Sequence, residues 1–228
     1  MRDKYDMPYL ATHRVTFHKG LEEVARAQGV QIEFGCIVSS IDFKAPSVHL
    51  KDDRTFMGDL VIGSDGAISQ CRSLLLGRPD PPNHFGHMLF SCEMSQDAIR
   101  DHEDLRDLVD SPGVPWWFGP GTLCLASVVK ESGTVNLLGS IVEPMTNTIQ
   151  THPQVSDMKE INDYHKDWDP KLRKLLDLAP FCLKWTSTTI LEVRDWAHPD
   201  GKFVLLGDAA HAMTPYLYVK LECFPGFV

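Results

Sequence analysis

The sequence predicts an α/β fold whose middle section has α+β character, and three observations predict it. Helical and strand patterns alternate over the first part of the chain. Two apolar stretches in the middle are joined by a short turn, as in an antiparallel hairpin. Strand patterns return near the end, after a pair of helices. We therefore predict a domain built from residues 1–80 and 181–228, with a mainly antiparallel sheet domain at 81–180 inserted into it.

The first segment carries the alternation. Apolar residues at helical spacing predict a helix over Leu10–Gln28, which Gly29 would end. Two β-rich segments follow, at Gln31–Phe43 and Ser47–Leu50. The apolar run Asp59–Gly63 predicts a fully buried strand.

The remaining elements are marked by proline and glycine. The stretch GRPDPP from Gly77 cannot continue a helix and indicates a domain boundary. Asp169 followed by Pro170 is typical of a helix N-cap and a first helical residue. The predicted strands are Met88–Met94, Leu123–Val129, Val135–Val142, Lys184–Val193 and Lys202–Leu206, and the predicted helices are Met158–Lys166 and Lys171–Leu178.

Composition and charge exclude several function classes. The 228 residues include 22 Lys and Arg against 31 Asp and Glu, a net charge of −9, so the chain lacks the basic surplus of nucleic-acid-binding proteins. Its apolar runs are far shorter than the ~20 residues that cross a bilayer, and its start lacks the apolar core of a signal peptide. Six widely spaced cysteines without zinc spacing predict reduced thiols and no metal site. We expect a cytoplasmic protein with no nucleic-acid or membrane partner.

The first chemically specific segment runs from Asp59 to Arg72 and reads DLVIGSDGAISQCR. Gly66 allows a tight turn and a close approach of a ligand to the backbone, and Asp65 supplies a carboxylate. Ser69 would cap the helix that follows, and Arg72 would either anchor Asp65 or meet a phosphate. An ordinary strand-to-helix turn with a surface Asp and Arg explains the same pattern.

The second segment, Gly201–Pro215, reads GKFVLLGDAAHAMTP. A strand that runs into small residues and a helix start is a natural site for a phosphate or a polyol. Asp208 would accept hydrogen bonds from ribityl or ribose hydroxyls, and Ala209 and Ala210 would leave room for a flat ring system. His211 fits a catalytic base, although packing is the more common role of a lone histidine.

Together these segments resemble the FAD-dependent aromatic monooxygenases, the family of salicylate hydroxylase and para-hydroxybenzoate hydroxylase. Asp59–Arg72 matches the family pattern DLVIGADGxxSxxR except for Ser64, and Gly207–Pro215 matches GDAAHxxxP in full. His13–His18, HRVTFH, is similar to a family segment whose arginine contacts FAD. The Trp116–Gly121 and Asp167–Pro170 stretches also resemble the salicylate hydroxylase branch. The resemblance covers the chain from about Tyr9 to Leu217.

The resemblance implies a partial Rossmann-like FAD- and NAD(P)H-binding domain with an inserted substrate-binding sheet. Its FAD contacts would include Arg14 and Asp208, and Asp65 and Gly66 would serve both FAD and NAD(P)H. The full implied cofactor set is Arg14, Asp65, Gly66, Arg72, Gly207, Asp208, Ala209, Ala210 and Pro215. The implied reaction is hydroxylation of a phenolic or benzoate-like ring with NAD(P)H and O2, in an enzyme that commonly dimerises. It leaves the catalytic residues unassigned.

The sequence also departs from the family. The opening GxGxxG segment and its acidic partner are absent, and so is the turn that follows the proline. Ser91 aligns where some members carry an arginine. We therefore expect a form truncated at both ends. The alternative hypothesis is a catalytically inactive remnant that binds a small aromatic ligand or a partner protein through its middle sheet. A non-flavin dehydrogenase is disfavoured by the missing glycine loop, and a hydrolase by the missing GxSxG.

Overall fold

A computed structural model describes residues 12–111, 113–142, 150 and 152–213 of the chain. Its helices are α1 (Arg14–Ala27), α2 (Gln70–Leu76), α3 (Gln96–Arg100), α4 (Arg106–Asp110), α5 (Met158–Tyr164), α6 (Pro170–Asp177) and α7 (Asp208–His211), with a 3₁₀ turn at Glu103–Leu105. Its strands are β1 (Val38–Asp42), β2 (Ser47–Leu50), β3 (Thr55–Met57), β4 (Val61–Gly63), β5 (Asn83–Ser95), β6 (Trp116–Gly119), β7 (Thr122–Val129), β8 (Thr134–Val142), β9 (Gln154–Ser156), β10 (Cys182–Thr189) and β11 (Phe203–Leu205). The α/β fold with a mainly antiparallel middle sheet is confirmed.

The described residues divide into two compact units. The first unit contains residues 12–32 and 86–186, and the second contains 33–85 and 187–213. Strands β5 and β10 carry the chain from one unit into the other. The assignment of residues 1–80, 81–180 and 181–228 to three functional segments remains a prediction.

The first unit is built on a six-stranded sheet in the order β6-β7-β8-β5-β10-β9. The β6–β7, β7–β8, β8–β5 and β9–β10 pairs are antiparallel. Along β5 the side chains of Met88, Phe90, Cys92 and Met94 are buried, because alternate residues of a strand point to the same face. That face packs on α3–α6 to form the core. The predicted hairpin of β7 and β8 is confirmed.

Local sequence explains the helices of this unit. Asp169 accepts hydrogen bonds from the backbone N–H groups of Lys171, at 2.8 Å, and Leu172, and Pro170 opens α6 as predicted. In α1, the N-terminal helix of this unit, the His13 ring caps the first turn. Gln28 ends the helix one residue before Gly29, which has φ +84°. The short helices α3 and α4 were not predicted. Their segment is mostly charged, and only Ile99, Leu105 and Val109 are buried in the core.

A buried histidine lies in the same core. The Nδ1–H of His165 donates to the carbonyl oxygen of Ile161 at 2.7 Å, which leaves Nε2 as an acceptor 3.5 Å from the Cys124 sulfur. Burial lowers the pKa of His165 and raises the pKa of the Cys124 thiol to about 12. Both side chains are therefore neutral at pH 7 and serve packing.

The second unit holds two small sheets, the antiparallel β1-β2-β3 and the parallel pair β4 and β11. Its core is a small cluster of buried residues: Cys71, Phe203, Leu205, Ala209 and Ala210. The prediction that the Asp59–Gly63 strand is fully buried is wrong, since Leu60 is exposed and the Ile62 side chain is 52% exposed. Within the described residues β4 has one sheet neighbour, β11, so its other side is not covered. None of the helices in the described ranges is long and apolar enough to span a membrane.

Candidate cofactor site

The two fingerprint segments follow the ends of neighbouring parallel strands. Gly63, the last residue of β4, is paired with Leu205, the last residue of β11. The N–H of Leu206 donates to the carbonyl of Gly63 at 2.9 Å and continues this pairing. Asp65 and Asp208 come two and three residues after these ends, so both lie past the same carboxyl edge of the sheet. That edge is where open α/β sheets bind ligands.

The Asp65 carboxylate organises the first fingerprint. One of its oxygens accepts from the Ser69 hydroxyl at 2.5 Å and the other from the N–H of Cys71 at 3.0 Å. Ser69 in turn accepts from the N–H of Arg72 at 2.8 Å, so the prediction that Ser69 caps the helix is confirmed. Gly66 has φ +83°, a conformation that favours glycine, with open space where a Cβ would lie. The hydrogen bonds of Asp65 and Ser69 therefore hold this turn.

The second fingerprint combines an exposed carboxylate with a buried support. Gly207 has φ +61° and ψ −141°, and a Cβ there would meet open space. The side chain of Asp208 is exposed directly after it. In contrast, Ala209 and Ala210 are buried in the core of the unit, so the structure explains their small side chains by packing. Their place in a cofactor contact remains a prediction.

A buried guanidinium holds the two fingerprints together. The Arg72 side chain is 1% exposed, and its Nε donates to the Asp80 carboxylate at 2.6 Å. Its two terminal nitrogens donate to the carbonyl of Ala210, at 3.0 Å, and to that of Leu191. The carboxylate that Arg72 meets is therefore that of Asp80, whereas Asp65 is held by Ser69 and Cys71. Each guanidinium nitrogen has an acceptor within the unit.

Asp80 and Leu191 are site-supporting residues that the sequence did not reveal. The stretch around Asp80 reads as a domain boundary, and no sequence signal links it to position 191. The Asp80 side chain is 5% exposed and also accepts from Arg78 at 3.0 Å. Such a carboxylate is stable inside the protein because it is paired and hydrogen-bonded.

The other predicted site residues are distributed as follows. Arg14 is exposed in the first turn of α1, in the first unit. His211 is half-buried, and its ring lies 5.2 Å from that of Trp196, an arrangement that fits a packing role. Pro215 lies outside the described residues. Of the residues that the structure describes, no group of three or more His, Cys, Asp or Glu side chains is placed to hold a metal ion.

Two aromatic stretches that the sequence singled out meet in the first unit. A Cβ at Gly119 would lie 2.3 Å from the Trp168 ring, so only glycine allows this packing. The rings of Trp116 and Phe118 are stacked on the edge strand β6, with centroids 5.9 Å apart. Both rings are exposed, which gives this edge of the sheet an aromatic surface.

Solved structures identify the class of fold. The chain matches a salicylate hydroxylase substrate complex with a TM-score of 0.73 and 20% identity, over 89% of this chain and 52% of that one. It matches Klebsiella pneumoniae HpxO, complexed with FAD and uric acid, with a TM-score of 0.68 and 20% identity, over 89% of this chain and 49% of that one. The fold is therefore that of salicylate hydroxylase-type flavoproteins, at partial coverage.

The curated sequence relatives of the chain include FAD-dependent monooxygenases. The chain is 28% identical over 221 residues to FAD-dependent monooxygenase OpS4 of Beauveria bassiana, covering 95% of this chain and 51% of that protein. It is 24% identical to 3-hydroxybenzoate 6-hydroxylase of Polaromonas naphthalenivorans, covering 95% and 52%. No family model matches the chain. Its homologues are FAD-dependent monooxygenases, which confirms the resemblance, and the chain spans about half the length of these relatives.

Proposed function

We propose that the chain is part of an FAD-dependent monooxygenase that hydroxylates a phenolic or benzoate-like aromatic ring with NAD(P)H and O2. The observation that carries the proposal is the placement of the DG and GD fingerprints past the ends of two paired parallel strands. The names of the relatives, which include two kinds of hydroxybenzoate hydroxylase, support the reaction class. Among the described residues, no observation favours the alternative of an inactive binding remnant.

The residues present fit the flavin cofactor in part. The exposed Asp208 carboxylate is suited to accept hydrogen bonds from ribityl hydroxyls, and the open space beside Gly207 and Gly66 allows a ligand to approach the backbone closely. Bound FAD would supply the redox chemistry, with hydride from NAD(P)H and activation of O2. Ala209, Ala210 and Pro215 complete the proposed contact set of this unit, and a contact of Arg14 with FAD is proposed on the resemblance alone.

The side chains of this chain hold the two fingerprint turns in position. Asp65 fixes the first turn through Ser69 and Cys71, and Arg72 fixes the second by holding the Ala210 carbonyl. Arg72 therefore acts as a positioning residue in this proposal, because its guanidinium is bonded to protein atoms. Such pre-organised supports keep a binding residue in its productive geometry.

Flavin retention tests the proposal. The purified chain is incubated with excess FAD, passed over a desalting column, and its visible spectrum is recorded. We expect flavin absorbance to stay with the protein, Asp208→Ala to release it, and the matched variant Asp200→Ala, on an exposed turn of the same unit, to retain it. Absence of retained flavin, or equal loss in both variants, would contradict the assigned site.

A further inference from the structure

The hydroxyl group at position 64 is a feature of the first fingerprint that has no role in the proposed function so far. Ser64 lies between Gly63, the last residue of β4, and Asp65. The family pattern has alanine at this position, so the hydroxyl distinguishes this chain from the pattern. The Ser64 side chain is exposed, and within the described ranges its hydroxyl has no hydrogen-bond partner. A free hydroxyl therefore lies at the carboxyl edge of the parallel pair.

The charges at this edge are unfavourable for a phosphate group. Residues 64–69 and 206–213, which follow the two strands, include the exposed carboxylates of Asp65 and Asp208 and contain no Lys or Arg. The guanidinium of Arg72 is 1% exposed, and its nitrogens already donate to protein acceptors. The diphosphate of FAD is anionic and only accepts hydrogen bonds. Neutral donors are therefore needed to bind it in this part of the chain.

Two hydroxyl side chains are present in residues 64–69 and 206–213, those of Ser64 and Ser69. Ser69 is 5% exposed, and its hydroxyl donates to the Asp65 carboxylate at 2.5 Å. The Ser69 oxygen also accepts the N–H of Arg72 at 2.8 Å, so this hydroxyl is fully used inside the protein. Of the hydroxyls in these two described segments, the one on Ser64 is therefore available to donate to a ligand.

We propose that the Ser64 hydroxyl donates a hydrogen bond to a diphosphate oxygen of FAD. This assignment rests on the proposed function, and it adds a donor that the alanine of the family pattern cannot supply. Asp208 and Ser64 then bind different parts of the cofactor. The carboxylate accepts hydrogen bonds from the ribityl hydroxyls, and the Ser64 hydroxyl donates to the diphosphate, which has only acceptors.

Calorimetric titration of the full chain with FAD and with riboflavin tests the assignment. Riboflavin has the same ring system and ribityl chain as FAD but no phosphate. Ser64→Ala should weaken the binding of FAD at least about tenfold, because a hydrogen bond to a charged group contributes about that factor. The binding of riboflavin should stay unchanged. Ser64→Thr keeps the hydroxyl and should bind both ligands as the parent chain does.

The matched control is Ser40→Ala, which changes another exposed serine of the same unit, on β1, and should leave both affinities unchanged. Thermal unfolding of each variant without ligand checks that the fold is kept. Equal FAD affinity in Ser64→Ala and the parent chain, or an equal loss of FAD and riboflavin binding, would overturn this assignment alone. A folded parent chain that binds neither ligand would contradict the proposed function as well, so the two failures are distinguishable.

Discussion

The two units are stabilised in different ways. The first has a continuous core between a sheet face and several helices, with side chains such as Phe90 and Leu137 fully buried. The second has a core of five residues and depends on the ion pair between Arg72 and Asp80. Apolar packing tolerates small changes, whereas a buried charge that loses its partner does not. A single substitution is therefore expected to reduce the stability of the second unit, which contains both fingerprints, more than that of the first.

The largest expected effect is that of Arg72→Ala. The variant leaves the buried Asp80 carboxylate without its main partner and two carbonyls without a donor, which should destabilise the second unit by about 3–5 kcal/mol. Hydrogen-exchange mass spectrometry, read segment by segment, should show lost protection at residues 61–76 and 203–211 while β7 and β8 stay protected.

The control for this prediction is Arg78→Ala. Arg78 also contacts Asp80, but its side chain is 58% exposed, so its removal should cost about 0–1 kcal/mol. If the two variants are equally stable, or if Arg72→Ala exposes both units together, the proposed difference between the units is wrong.

A smaller effect is expected from Gly139→Ala in the first unit. The new Cβ would lie 2.4 Å from the Phe90 ring and 2.7 Å from the Cys124 sulfur, so the core must shift, at a cost of about 1–3 kcal/mol. Gly20→Ala makes the same chemical change on α1, where no atom lies within 4 Å, and should instead stabilise the helix by about 0.5–1 kcal/mol. Urea denaturation of both variants measures the two signs, and the same sign for both would show that packing at Gly139 is loose.

The smallest expected effect is a pH dependence confined to the first unit. Burial lowers the pKa of His165 in the folded protein. Below about pH 6.5, this histidine therefore binds a proton in the unfolded chain but not in the native state. Stability should therefore fall as the pH decreases from 7, with a slope that one group limits to about 1.4 kcal/mol per pH unit.

His165→Phe isolates that contribution. Hydrogen exchange in β7 and α5 at pH 7 and pH 5.5 should differ less in this variant than in the parent chain. The exposed His152 of the same unit offers a matched change, His152→Phe, that should leave the pH dependence in place. Identical pH profiles for the parent and His165→Phe would remove the histidine from the explanation.

Local patterns predicted much of this fold. The helix before Gly29, the β7–β8 hairpin, the Asp169 cap and the Ser69 cap depend on residues a few positions apart, and all are present. The motifs also located both fingerprints. Local patterns could not predict that Ile62 is exposed, because its exposure depends on which strands flank β4. They also could not predict the hydrogen bonds of Arg72, because the acceptors are distant in sequence.

The same network sets an order of events during synthesis. The Leu191 and Ala210 carbonyls follow Arg72 by 119 and 138 residues. At ~5–20 residues per second, a ribosome takes roughly 6–28 s to deliver them after Arg72 has been made. Strands β5 to β8, which lie between, are complete earlier and can pair first. The Arg72 network can therefore close only after these strands and residue 210 have been made.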